Sequence, residues 1–175
     1  MTDSAIAYAN AVFSLALEKN QEELVLEELK NFLLSIDESS EKFFSHPKLS
    51  IQEKHSVIDS LDFNPLTKNF LKVLLDNDRF DNLKVILAAY EFILNERNNL
   101  AMVKIITKTK LSKENQTKLI KILEKRLNRK VKIETVVTDD LISGFKVVYQ
   151  GEVIDLTGDS FISEIKTSLS RRHLS

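Results

Sequence analysis

The side chains able to do chemistry in this chain are few and scattered. Its three histidines, His46, His55 and His173, form no HExxH or similar pair for a metal. Its three glycines, Gly144, Gly151 and Gly158, are too far apart to cradle a phosphate, and neither GxxxxGKS/T nor GxGxxG occurs. No serine sits in a GxSxG elbow. There is no cysteine, which excludes a disulfide framework and a thiolate metal site. Asp139 and Asp140 are adjacent, so an extended segment points their side chains to opposite sides and suits them to a turn or cap, not an acid–base pair. No catalytic residue, cofactor or metal is expected, and function falls instead on the surfaces that the elements present.

Those elements are mainly helical. Three Gly and two Pro in 175 residues favour long helices and few tight loops, and a hydrophobic fraction of 43% supplies a core. Charge divides the chain. Residues 1–100 carry 17 acidic and 10 basic side chains, the remainder 9 and 15, and a change of sign at that point indicates two domains with different partners. No apolar run reaches the roughly 18–20 residues that span a bilayer, and MTDSAIAYANAVF has no basic residue before its apolar stretch, unlike a secretory or transit signal. An intracellular protein with no direct membrane insertion is expected.

The first hundred residues predict six helices: Asp3–Lys19, Gln21–Ser35, Ser40–Phe44, Ser50–Leu61, Pro65–Asn77 and Phe80–Asn98. Ser50 and Glu53 have capping-box spacing, and Pro65 stands in a first turn where its missing amide costs nothing. Short connections imply an antiparallel six-helix bundle. The period then changes. Ala101–Thr109 alternates and is β-branched, Ser112 to about Asn128 is a charged helix, and Val131–Val137, Phe145–Tyr149 and Glu152–Leu156 are short strands. A tight turn falls at Gln150-Gly151, and Ser160–Leu169 closes the chain as an amphipathic helix. The fold class is α+β, with a helical bundle over 1–100 and a small mixed α/β domain over 101–175.

The first helix is apolar over more than one packed face needs. At about 100° per residue, Asp3, Asn10, Ser14 and Glu18 form one narrow polar stripe, and the apolar remainder covers roughly 240°, where a helix packed once needs little over about 100°. Ile6, Ala9, Phe13 and Leu17 share one side, and Tyr8, Ala11, Val12 and Leu15 the other. One side can face the bundle while the second forms the wall of a groove for a visiting helix; the bland alternative is a central helix covered all round by its own chain. The fifth helix has a broad apolar face with Val73 at its edge between Asn69 and Asn77, a groove rim or ordinary boundary packing. Arg79, in the following turn, can pair with Asp76, Asp81 or a partner's carboxylate, or simply be solvated. Between Lys104 and Lys132, 11 basic residues face only Glu114 and Glu124, with no aromatic residue for base stacking. That run reads as a solvated helix face with an electrostatic part in docking.

Several segments together resemble one family. Tyr8-Ala9-Asn10-Ala11-Val12-Phe13 with Leu15-Ala16, Pro47 with Lys54, Asn69-Phe70-Leu71 through Asn77, Arg79 and Phe80, and Leu111-Ser112 carry the likeness. The strongest signature is Leu141-Ile142-Ser143-Gly144-Phe145 with Gly151, Ile154 and Asp155. The chain resembles the delta subunit of bacterial F-type ATP synthases, the family that includes the mitochondrial oligomycin-sensitivity-conferring protein. It departs where Ser143 replaces a second glycine and Thr107-Lys108-Thr109 replaces a small Ser-Ala pair.

The resemblance implies a non-catalytic peripheral-stalk subunit on the cytoplasmic side of the cell membrane, holding the catalytic head still against rotor torque during proton-driven ATP synthesis. Its implied partners are the N-terminal helix of an ATP synthase alpha subunit, in a groove between the first and fifth helices, and the b subunits, on the later domain. Tyr8, Ala11, Leu15, Val73 and Arg79 are the residues expected to face the head, and Gly144 and Gly151 are expected at structural turns. The basic helix after Ser112 and the final helix are the expected stalk side. An RNA- or ribosome-associated factor using the basic second domain is the alternative, distinguished by salt-dependent nucleic-acid binding, whereas the stator reading calls for no nucleic acid. A helical adaptor with an unrelated partner is another, and would bind no alpha-subunit peptide.

Overall fold

The computed structural model describes residues 3–139 and 145–154. They form an α+β protein with seven α-helices and one four-stranded sheet among the described residues. The chain divides into two compact units between Leu94 and Asn95.

The first unit is built on α1 (Asp3–Glu18), α2 (Glu22–Ser35), α3 (Glu38–Ser45), α4 (Ile51–Ser60), α5 (Pro65–Asp76) and α6, which starts at Leu83 and ends at Arg97. Local chemistry explains most helix starts. Ser50 and Glu53 complete a reciprocal capping box at α4, and the Asn64 side chain accepts from the amides of Leu66 and Thr67 at α5. Helix α3 opens two residues before the expected Ser40, because Asp37 caps it, accepting at 2.8 Å from the Ser40 amide. Phe80–Asn82 is a 3-10 turn and not the start of α6. There Phe80 lies 4.5 Å from the Phe44 ring and 5.9 Å from that of Phe32, so aromatic packing, not helical period, sets the backbone.

All six helices feed one core, in which Leu29, Ile58, Leu71, Leu74, Ile86 and Tyr90 are fully buried. Helices α4 and α5 are also laced at the surface, where Lys72 pairs with Asp59, and His55 Nε2 lies 2.9 Å from the Asp76 carboxylate.

The second unit carries β1 (Leu100–Thr107), α7 (Lys113–Leu127), β2 (Lys130–Val137), β3 (Phe145–Tyr149) and β4 (Glu152–Val153), with sheet order β2-β1-β3-β4. Strand β1 pairs parallel with β2 across the α7 crossover and antiparallel with β3. Its burial alternates as the two-residue strand period requires: Ala101, Val103, Ile105 and Thr107 are buried with Leu119 and Leu123 of α7. The strand stops at Thr107, where the buried hydroxyl donates to the Thr109 carbonyl at 2.9 Å and turns the chain. Gln150 and Gly151 both take positive φ, 52° and 85°, the geometry of a two-residue hairpin turn between β3 and β4. Asn20, Asp78, Asn99 and Asn128 each follow a helix at a left-handed φ of 53°, 52°, 51° and 52°. Gly144, Leu156 and the segment Ser160–Leu169 lie outside the described residues.

Candidate functional site

Helix α1 is buried along one stripe only. Ala5, Ala9, Val12, Phe13 and Ala16 are buried, and three of these five are alanines, which let neighbouring backbones approach closely. Phe13 meets Tyr90 of α6 edge to face, with centroids 5.4 Å apart. The Tyr90 hydroxyl continues to the Glu22 carbonyl at 2.9 Å, tying α6 to the first turn of α2. Burial, and then the charge of Glu22, push the Tyr90 phenol above its ordinary value.

Both flanks of that stripe remain apolar and open. On one, Tyr8 is half-buried and Ala11 and Leu15 are exposed, Leu15 to 47%. On the other, Ile6 is 39% exposed and borders an apolar groove of about 290 Å3 with Ala89, Phe92 and Ile93 of α6. The two sides read from the sequence are thus divided differently. Val12, grouped with Tyr8 and Leu15, is buried; Ile6, grouped with Ala9 and Phe13, is not. The physical reason is that α6 covers Phe13 through Tyr90 but leaves Ile6 at the rim of the groove. Phe92, 45% exposed, was missed by sequence reasoning; its signal is a position off the stripe of Leu83, Ile86, Leu87, Tyr90 and Leu94.

Helix α5 packs on α1. Leu66, Phe70, Leu71, Leu74 and Leu75 are buried, while Asn69, Val73 and Asn77 form an exposed row four residues apart, Val73 to 43%. The Asn77 side-chain amide donates to the Val73 carbonyl at 2.8 Å and closes the helix end. Arg79 follows, exposed. Its backbone amide donates to the Leu74 carbonyl at 2.8 Å, and among the described residues its guanidinium reaches only the Asp78 carbonyl, at 3.4 Å. Asp76, one of its expected partners, faces His55 instead.

The seating of α5 depends on a buried carboxylate. Glu28 of α2 accepts from the Asn64 amide at 2.8 Å, the Asn64 side chain at 3.0 Å and the Thr67 hydroxyl. Only 9% of Glu28 is exposed, and a carboxylate at a helix N-terminus also meets the positive end of the helix dipole.

Nothing in this geometry resembles a reaction centre. Among the described residues, no cluster of three or more His, Cys, Asp or Glu is placed to hold a metal. An open cleft of about 410 Å3 carries Glu41, Asp81 and Lys84 over Leu33, Ile36 and Phe80, without a nucleophile paired to a base. In the second unit the basic residues of α7 lie largely on its exposed face: Lys113, Lys118, Lys121, Lys125 and Arg126. Glu114 pairs with Lys118 at 2.7 Å. Arg129 is held by Glu96 at 2.7 Å and the Tyr149 hydroxyl at 3.0 Å, and the Glu96 hydrogen bond raises its pKa further.

Comparison with known proteins gives one consistent answer. The family model described as ATP synthase delta (OSCP) subunit matches residues 5–169. The "ATP synthase subunit delta" of Vesicomyosocius okutanii is 31% identical over 176 residues, covering 95% of both chains. That of Rubrobacter xylanophilus is 33% identical over 153 residues, covering 85% of this chain and 86% of its own. A chain of the Toxoplasma gondii mitochondrial ATP synthase hexamer shares the fold with a TM-score of 0.69 at 23% identity, covering 97% of this chain and 98% of that one.

Proposed function

This chain belongs to the ATP synthase delta (OSCP) subunit family, and on that premise we propose that it ties the catalytic head of the enzyme to the stalk through two separate surfaces. It is a non-catalytic stator subunit of an ATP synthase; the family match supports this role and not an RNA- or ribosome-associated one. Among the described residues no helix is long and apolar enough to cross a membrane. We place it on the cytoplasmic side of the cell membrane.

The observation that carries the head-side reading is the open flank of α1. Leu15 and Ala11, with the half-buried Tyr8, offer apolar surface that their own fold leaves open, beside a helix that carries Val73 and is followed by Arg79 in the next turn. In this reading the six helices form an antiparallel bundle, and the N-terminal helix of an alpha subunit lies along α1 and α5. Arg79, which has no carboxylate partner among the described residues, meets an acidic group on the visitor. Burial of Leu15 and Val73 contributes about 25 cal/mol per Å2 of apolar area removed from water. Such contacts act mainly on the off-rate, which suits a joint that must outlast rotation. The second unit then takes the C-terminal part of the b subunits.

A peptide from the N-terminus of an ATP synthase alpha subunit, titrated into the full chain by calorimetry, tests this. One-to-one binding weakened by Tyr8→Ala supports it. No heat, or binding unchanged by Tyr8→Ala, removes the groove assignment while leaving family membership intact.

A further inference from the structure

Little apolar burial holds α4 in place. Of its ten residues only Ile58 is buried, and Ile51 at its start is half-buried. Polar contacts with α5 supplement them. Asp59 pairs with Lys72, the Asp59 carbonyl accepts from Lys68 Nζ at 3.1 Å, and His55 Nε2 stands 2.9 Å from the Asp76 carboxylate.

The last of these contacts differs from the others in needing a proton. His55 Nε2 is shut away from solvent and makes no aligned hydrogen bond among the described residues. A neutral ring would leave that nitrogen dry and unsatisfied, which costs free energy. A charged ring is attracted to Asp76 at any angle, because attraction between ions depends on distance. The place of Asp76 adds to this preference. It is the last residue of α5, whose final turn carries no basic side chain, so its carboxylate meets the negative end of the helix dipole. An imidazolium reaching over from α4 offsets both. The other charges beside the pair are Asp59, one turn on along α4, which the charge of His55 also favours, and Lys72, one turn back along α5, which Asp59 already engages.

We propose that His55 and Asp76 form a proton-operated latch that fastens α4 to the end of α5. Histidine exchanges its proton near neutrality. With the ring charged, α4 is fastened. As pH rises and the ring loses its proton, the attraction goes and α4 opens more often while the rest of the first unit stays folded. The latch lies within the first unit and does not rest on the stator reading.

Amide hydrogen exchange of the full chain, read by mass spectrometry at about pH 6 and about pH 8 on either side of the ordinary histidine value, tests this. Labelling times are scaled for the intrinsic rate at each pH, and α4 is compared with α6. Protection of α4 relative to α6 is expected to fall about threefold at the higher pH, the size that a partly exposed charge pair at a helix end supports. His55→Gln should hold α4 at the lower protection at both pH values, and Asp76→Asn should likewise abolish the response. Equal relative protection of α4 at the two pH values in the wild type overturns the latch. So does a fall that persists in either variant, which would assign the response to another group such as His46.

Discussion

The Thr67 hydroxyl donates to the carboxylate of Glu28, a residue 39 positions earlier in the chain, and so joins the first turn of α5 to the middle of α2. Asn64 donates to the same carboxylate twice while capping α5. One buried acid thus accepts from three donors at the start of α5, and it sets where α5 begins.

Glu28→Ala should destabilise the first unit by about 1–3 kcal/mol, since it removes the acceptor of the Asn64 amide and of the buried Thr67 hydroxyl. Thr67→Val should cost less, because the carboxylate keeps both Asn64 bonds. Urea denaturation of the single and double variants measures this, with a double variant less destabilised than the sum of the two. Strict additivity would show that the pair is not coupled.

Tyr90→Phe keeps the ring against Phe13 and removes only the bond to the Glu22 carbonyl. A loss of about 0.5–1.5 kcal/mol is expected. The variant should also change the alkaline limb. A phenol raised above its unfolded value stabilises the fold fully below the unfolded pKa, and that contribution is lost as pH rises through the folded one. The wild type should therefore lose stability above about pH 10, and Tyr90→Phe less so. Identical alkaline unfolding curves would reject the assignment.

Asp37, Glu53 and Asp59 are all held below their ordinary values, by the Ser40 amide, the Ser50 hydroxyl and the Lys72 ammonium respectively. The sign follows directly. Depressed carboxylates contribute stability above their unfolded pKa and lose it as pH falls through the folded one. Circular dichroism from about pH 7 to about pH 3 should show helicity steady at first and then falling below the ordinary carboxylate range. Ser50→Ala, which breaks the α4 capping box, should cost about 0.5–2 kcal/mol near neutrality. A flat profile to the acid end would contradict a role for these carboxylates.

Leu15→Ser and Val73→Ser should change stability by only about 0.5 kcal/mol, because both side chains lie at the surface, nearly half exposed. Each should weaken the alpha-subunit peptide by roughly tenfold. Ala9→Leu is the opposite case: fully buried, it should cost about 1–3 kcal/mol by forcing α1 off its neighbours. Surface substitutions that unfold the protein, or leave peptide binding intact, would show that this flank is structural.

The difference between Leu15 and Ala9 also marks what the amino-acid sequence can reveal. Helix starts were legible where the signal is local: Ser50 with Glu53, and Asn64 before Pro65, act within three residues of themselves. Strand alternation over β1 was legible for the same reason, since the period of two is covalent geometry. The start of α3 answers to an equally local signal, Asp37 three residues before the amide it caps. Phe80 was not legible, because its 3-10 turn answers to Phe32 and Phe44, far away in the chain. Nor was the division of α1. An apolar arc of that width records how much surface is greasy, while the bonds of Tyr90 and the packing of Phe13 decide which part α6 claims. The buried role of Glu28 was equally hidden, as its donors lie more than thirty positions downstream.

Four helix ends in this protein bend through Asn20, Asp78, Asn99 and Asn128 where other chains would place glycine. A side chain at a left-handed position strains the native backbone, yet it also narrows what the denatured chain can explore, by about 0.4–1 kcal/mol relative to glycine. The two effects oppose one another, so part of this protein's resistance to unfolding resides in the disorder it never had to give up.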